Sequence, residues 1–303
     1  MTVCDSHCHF FSAGFFRALG KDLPPSPGDA AESIPPTLGW QAPWTDETLA
    51  DRWAAELDRH GVSRAMLIAS VPDDEASVAA AVARHPARFT GGFMFNPKAP
   101  EADLRIDRAF ADLGLRTACL FPAMHGYSMD DEGVAVVCRS AERHERAVFV
   151  HCGLLSVGVR KKLGLPSRFD LRNGDPLAVA ALAVRYPGVP FVIPHFGAGL
   201  FREALMAADA APNIMLDTSS SNAWIKFNPG LTMREVFARA LDCAGPGRLL
   251  FGTDSSFFPR GWHAAIFDAQ QAILADLGVS DADRQLVFGG NFSRIFGGDL
   301  ARM

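Results

Sequence analysis

Short apolar segments of strand length alternate with amphipathic segments of helical length along the 303 residues. Each crossover is long enough to hold a helix, which implies parallel pairing. Polar residues, four of them histidines, stand where several of the apolar segments end. Together these observations predict an α/β fold: a (β/α)8 TIM barrel spanning residues 1–303 as one domain, with a proline-rich insertion after the first strand. A doubly wound sheet is the competing arrangement. It usually shows a glycine-rich turn after its first strand, and here that place holds His7-Cys8-His9. No composition shift marks a second domain.

The first strand is residues 3–9. Side chains two apart on a strand share a face, so His7 and His9 should project together, with Asp5 behind them. Residues 11–44 then read as irregular, with Pro24, Pro25, Pro27, Pro35, Pro36 and Pro43. A loop of that length is usually a lid or a binding loop, and Trp40 and Trp44 argue that it packs, as a cover over the barrel mouth. Thr45 has the character of an N-cap, Leu49, Trp53 and Leu57 follow at helical spacing, and Gly61 is the stop.

From there strands are expected at 62–69, 89–95, 117–121, 147–150, 189–193, 214–216 and 248–251. Helices are expected at 73–85, 101–113, 131–145, 176–186, 231–244, 262–277 and 280–288. The fifth strand arrives at His151, the sixth at Pro194-His195, the seventh at Asp217 and the eighth at Gly252-Thr253-Asp254.

Composition narrows the function. The chain is 49% hydrophobic and 21% charged, with a net charge of -5, and its mean hydropathy is +0.08. No lysine- or arginine-rich tract stands out, which argues against nucleic acid or an anionic membrane as the main partner. No basic leader, secretory segment or transmembrane run is recognisable, and the six cysteines form no Cys-x-x-Cys pair. A cytoplasmic protein with reduced thiols is the expectation. The expected partner is a small-molecule substrate, and any assembly is expected to be a homodimer.

His-x-His alone is weak, since nine histidines in a chain this long produce one by chance roughly a quarter of the time. It gains weight from His151, His195 and Asp254, each at the end of an apolar strand and so on the rim where barrel active sites lie. Histidine nitrogens with one carboxylate suit zinc, and also manganese or iron, with a position left open for water. Of the basic rim residues, Arg168 and Arg260, with His125, are candidates to contact a substrate carboxylate. Arg160, Lys161 and Lys162 share the loop of Arg168 after the fifth strand, Lys226 follows the seventh strand, and His263 lies with Arg260 after the eighth.

The set resembles the amidohydrolase superfamily, in the branch that includes aminocarboxymuconate semialdehyde decarboxylase and γ-resorcylate decarboxylase. The resemblance rests on Asp5-Ser6-His7-Cys8-His9, Phe149-Val150-His151-Cys152, Ile193-Pro194-His195-Phe196-Gly197, Leu250-Phe251-Gly252-Thr253-Asp254 and the tail Gly290-Asn291-Phe292-Ser293-Arg294-Ile295-Phe296. It implies that His7, His9, His151 and Asp254 hold one divalent ion while His195 orients or protonates the substrate. Two-metal members carry a lysine at the end of the fourth strand, and residues 117–122 contain none, so one ion is expected.

The leading expectation is a metal-dependent hydrolase attacking an amide, lactone or ester of a small carboxylated substrate. In it Asp254 moves the water proton and His195 stabilises the oxyanion. The alternative is non-oxidative decarboxylation on the same residues. A third is a non-catalytic binding barrel, which would require the rim histidines to be structural.

Overall fold

The computed structural model describes residues 1–25, 27–220 and 222–297; Ser26, Ser221 and residues 298–303 of the expected domain lie outside the described residues. Eight parallel strands form one sheet in the order of the sequence. They are β1 (Cys4–Phe10), β2 (Arg64–Ala69), β3 (Phe89–Phe95), β4 (Thr117–Leu120), β5 (Ala147–Val150), β6 (Phe191–Ile193), β7 (Ile214–Asp217) and β8 (Leu249–Leu250). The barrel closes between β1 and the chain just past β8. Ser6 N–H donates to the Phe251 carbonyl at 2.9 Å, Asp254 N–H to His7 at 2.9 Å, and His9 N–H to Ser255 at 2.7 Å. This is the (β/α)8 barrel that the alternation predicts.

The period of two sorts side chains into two cores. Met66, Ile68, Met94, Cys119, Phe149, Val192, Met215 and Leu250 point inward and pack with Phe292 and Phe296. These two phenylalanines belong to the last helix, Asn291–Phe296, which plugs the N-terminal mouth. Arg64, at the start of β2, lies 5.5 Å above the Phe292 ring. The alternate residues, among them Ala65, Leu67, Phe93, Ala118, Val148, Phe191 and Leu216, meet Trp53, Leu57, Ile106, Phe110, Val134 and Phe237 of the surrounding helices. No helix among the described residues is long and apolar enough to cross a membrane. All six cysteines are free thiols, five of them buried.

Residues 11–44 depart from the irregular segment expected. They hold two helices, α1 (Ala13–Gly20) and α2 (Ala30–Thr37). Ser12 caps α1, its side chain accepting from Phe15 N–H at 3.0 Å, and Asp29 caps α2, accepting from Ala31 N–H at 3.0 Å. Pro35 and Pro36 fall in the last turn of α2, so they remove only late backbone bonds of a short helix. What holds α2 is contact with α1: a Cβ on Gly20 would lie 2.6 Å from the Ala30 Cβ, so only glycine permits the approach. Trp40 packs into this group, which includes Phe15, Phe16, Leu19 and Ile34. Trp44, expected to be buried, is 69% exposed instead, at a left-handed φ of 58°. The next helix, α3 (Asp46–Arg59), is capped by Thr45 as its sequence predicts.

Phe292→Ala should open a void in the plug and cost about 3–5 kcal/mol of stability. Denaturant unfolding of the two proteins measures it, and a loss below about 1 kcal/mol would mean that the last helix does not close the barrel.

Candidate metal centre

Strand parity carries past the strand ends into the site. His151 lies two residues beyond inward Phe149, Asp217 two beyond Met215, and Phe121 two beyond Cys119. In β1 the pattern is broken. The register against β2 slips between Asp5 and Cys8, a β-bulge. Cys4 points inward, and the extra residue then brings His7 and His9 inward while Asp5 turns to the outer face. The expectation that Asp5 stands behind the histidines on their own face is therefore corrected. Its fully buried carboxylate accepts from Thr253 Oγ1 at 2.5 Å, Thr253 N–H at 3.1 Å, Trp262 Nε1 at 2.7 Å and His7 N–H at 2.9 Å. Burial raises its pKa in spite of these donors.

His195 lies three residues past inward Val192, which is the wrong parity. Left-handed φ values of 53° at His195 and 52° at Phe196 redirect the chain. Asp254 has a left-handed φ of 59° as well. Such conformations outside glycine cost on the order of 1–3 kcal/mol each and persist where packing over-determines them. Gly252 shows that tightness: a Cβ there would lie 2.7 Å from Asp217 Oδ1 and 2.9 Å from the His7 Cβ.

His7, His9 and Asp254 converge, each offering one ligand atom with all three atoms within 4.8 Å of one another. Asp254 Oδ1 is 3.2 Å from His9 Nε2 and 3.8 Å from His7 Nε2. The outer nitrogens are engaged elsewhere, His7 Nδ1 with Asp217 Oδ2 at 2.6 Å and His9 Nδ1 with Ser70 Oγ at 2.7 Å. The His195 ring is 5.1 Å from His7 and 5.4 Å from His151, centroid to centroid. His151 stacks on Phe121 at 5.4 Å and is not part of the three-residue convergence.

Electrostatics follow from this crowding. Burial would lower the His7 pKa, but the charge and hydrogen bond of Asp217 raise it overall. His151 falls well below the usual histidine range through burial and then the neighbouring His195 and His7; His195 is lowered by burial and then the charge of His7, against the opposing pull of Asp254 and Asp217. Burial would raise Asp254, yet the hydrogen bond and charge of His9, then the charges of His7 and His195, bring it down to about 2.

The site opens into a cavity of about 480 Å³. Its walls include Phe11, Phe15, Trp40, Phe121, Trp224 and Phe257, and Lys162, Lys226 and Arg260 reach its mouth. Arg260 Nη2 donates to the Asp254 carbonyl at 3.1 Å and to Ser256 Oγ at 3.0 Å. Of the other sequence candidates, Arg168 is exposed and does not line the cavity, and Arg160 is paired with Asp22 at 2.5 Å. His125 is half-buried outside the lining, with its Nδ1 lacking a partner. Sequence reasoning assigned no role to Asp217, Ser219 or Ser70. Asp217 was detectable as the polar end of an apolar strand, whereas the two serines carried no signal.

The donor set fits a divalent ion. Imidazole nitrogens and one carboxylate oxygen suit zinc, manganese or iron, and outer nitrogens held by a carboxylate and a hydroxyl are how metal-binding histidines are oriented. His151 lines the same cavity, and its buried Nδ1 has no protein partner.

A family model described as amidohydrolase matches residues 4–298. No curated protein matches the chain. Among solved structures, 5-carboxyvanillate decarboxylase from Novosphingobium aromaticivorans, complexed with manganese and 4-hydroxy-3-methoxy-5-nitrobenzoic acid, is similar with a TM-score of 0.64 at 15% identity, over 98% of this chain and 95% of that one. A probable 2-pyrone-4,6-dicarboxylic acid hydrolase from Acinetobacter baumannii, with citric acid bound, has a TM-score of 0.63 at 15% identity, over 98% and 100%. An amidohydrolase from Burkholderia multivorans with bound zinc has a TM-score of 0.63 at 16% identity, over 98% and 99%. At these identities the likeness to solved structures is one of fold.

Asp217→Ala should leave the barrel folded while weakening zinc binding about 10–100-fold, the usual effect of losing a carboxylate behind a ligating histidine. Competition titration against a chromophoric chelator reads it, and unchanged affinity would show that His7 is not a ligand.

Proposed function

The chain belongs to the amidohydrolase family, and on that premise we propose that it is a metal-dependent hydrolase of a small carboxylated substrate, with one divalent ion held by His7, His9, His151 and Asp254. Zinc is the ion this donor set suits best, with manganese or iron as alternatives. The observation that carries the reading is the convergence of His7, His9 and Asp254 within 4.8 Å, with the far nitrogen of each histidine already engaged. A divalent ion in such a site lowers the pKa of water toward neutrality and polarises a carbonyl.

Asp254 is ionised at any pH near neutrality, its carboxyl being held down at about 2. It therefore starts the cycle as a base. It accepts a proton from the attacking water as the new C–O bond forms, and passes that proton to the leaving nitrogen or oxygen as the old bond breaks. The aromatic walls exclude bulk water and suit an unsaturated or cyclic substrate. Lys162, Lys226 and Arg260 carry no ion pair among the described residues, although they line the mouth. Two lysines without an acidic partner among the described residues, together with Arg260 beside the Asp254 charge, favour a carboxylate placed away from the reacting carbonyl.

The apolar walls also favour loss of CO2, because they would desolvate a carboxylate, and decarboxylation is the second reading. It needs a proton delivered to carbon from the outset, whereas Asp254, held ionised by the neighbouring histidines, starts the cycle without one, so hydrolysis leads. Turnover of a panel of carboxylated lactones, amides and aromatic acids in 18O-labelled water distinguishes the two. Label in the product with no CO2 released is expected, and CO2 release without label would replace hydrolysis with decarboxylation.

Elemental analysis should return about one divalent ion per chain; two ions, or none after supplementation, would contradict the proposed site. Arg260→Met should raise KM for a carboxylated substrate about tenfold, roughly 1.4 kcal/mol, and change kcat little. An equal loss in kcat would place Arg260 in the chemistry rather than in binding.

A further inference from the structure

Ser219 stands between two histidines of the centre and one carboxylate. Its Oγ lies 3.0 Å from His7 Nδ1, 2.9 Å from His195 Nδ1 and 3.0 Å from Asp217 Oδ2. All of these side chains are buried, Asp217 and Ser219 completely. The hydrogens can be placed by counting donors and acceptors. Asp217 already accepts from Ser219 N–H at 2.7 Å, and as a carboxylate it only accepts. The imidazole nitrogen 2.6 Å from it, His7 Nδ1, must therefore carry a hydrogen. The Ser219 hydroxyl gives its one hydrogen to Asp217 as well and is left with lone pairs. His195 Nδ1 faces those lone pairs and also the Ser219 carbonyl at 3.2 Å, which can only accept. It too must carry a hydrogen.

We propose that Ser219, backed by Asp217, is a positioning residue that locks His195 in the Nδ1–H tautomer, so that His195 enters the reaction as a proton acceptor at Nε2. This replaces the oxyanion donor expected from the sequence, because a neutral imidazole with hydrogen on Nδ1 has none on Nε2. One hydroxyl thus couples a ligand-bearing histidine, His7, to a reacting one through a shared carboxylate.

The proton it accepts is identified by the hydrolytic reading, on which this part rests. Hydrolysis that ends in a carboxylate removes two protons from the attacking water. The first goes to Asp254 and on to the leaving group. The second remains on the attacking oxygen until the product acid forms, and it leaves by breaking that O–H bond to His195 Nε2, from which it passes to solvent. The tautomers themselves do not depend on the reaction.

The test is nitrogen NMR of the full chain labelled with 15N-histidine and loaded with zinc, the His195 signals being those lost in His195→Asn. The expected spectrum shows His195 protonated at Nδ1 and bare at Nε2. In Ser219→Ala only the longer carbonyl contact remains. The His195 signals should then shift toward a mixture of tautomers, and kcat should fall about 10–100-fold with zinc content still about one per chain. A wild-type spectrum with hydrogen on Nε2 would overturn the proposal, as would Ser219→Ala with unchanged signals and turnover. Should that variant fail to fold, the wild-type spectrum still decides. A correct tautomer in a protein that hydrolyses nothing would sink the hydrolytic reading and leave the positioning role standing.

Discussion

One extra residue in β1 is the constraint on which the site depends. A regular strand would put Asp5, His7 and His9 on one face, with Cys4 on the other. The bulge between Asp5 and Cys8 instead lets Cys4 fill the barrel below, turns both imidazoles into the cavity above, and sends the carboxylate of Asp5 outward. There it meets the backbone and side chain of Thr253 and the Trp262 indole. The first strand is thus tied to the loop that delivers Asp254. Removing that carboxylate would leave several buried donors unpaired at the seam where the barrel closes, which is costly in a low-dielectric interior.

Charge at the centre is arranged in layers. Asp254 faces the cavity with His7 and His9, and Asp217 lies behind His7, so two carboxylates bracket one imidazole from opposite sides. That geometry orients His7 and raises its affinity for any positive species at Nε2, whether a proton or a metal ion. His151 and His195, with fewer acidic neighbours, are pushed toward neutrality, which is the state needed for ligation or for accepting a proton. At the mouth the sign reverses, with Lys162 over the Trp40 ring at 5.4 Å and Arg260 over the Phe257 ring at 4.6 Å. An anionic group would meet attraction at the mouth.

Much of this was legible in the sequence. The barrel followed from alternation, and the rim followed from polar residues ending apolar strands, because both depend on the period of two that the chain displays openly. The bulge was not legible, since a slipped register leaves no mark in residue type, and so Asp5 was placed on the wrong face. The helices α1 and α2 were hidden by prolines and by a phenylalanine-rich run, although Ser12 and Asp29 have the character of caps. An aromatic residue in a loop suggests packing, but Trp44 lies 69% exposed with the Arg52 guanidinium beside its ring. Ser70 and Ser219 could not be found at all: a serine orients a histidine only through three-dimensional neighbours.

The central claim is that His7, His9 and Asp254 share one ion. Anomalous diffraction at the zinc edge from crystals of the loaded protein tests it most directly. The account predicts a single strong peak about 2.0–2.2 Å from the Nε2 atoms of His7 and His9 and from a carboxylate oxygen of Asp254. A peak anywhere else in the barrel, or none at that position in zinc-replete crystals, would contradict it.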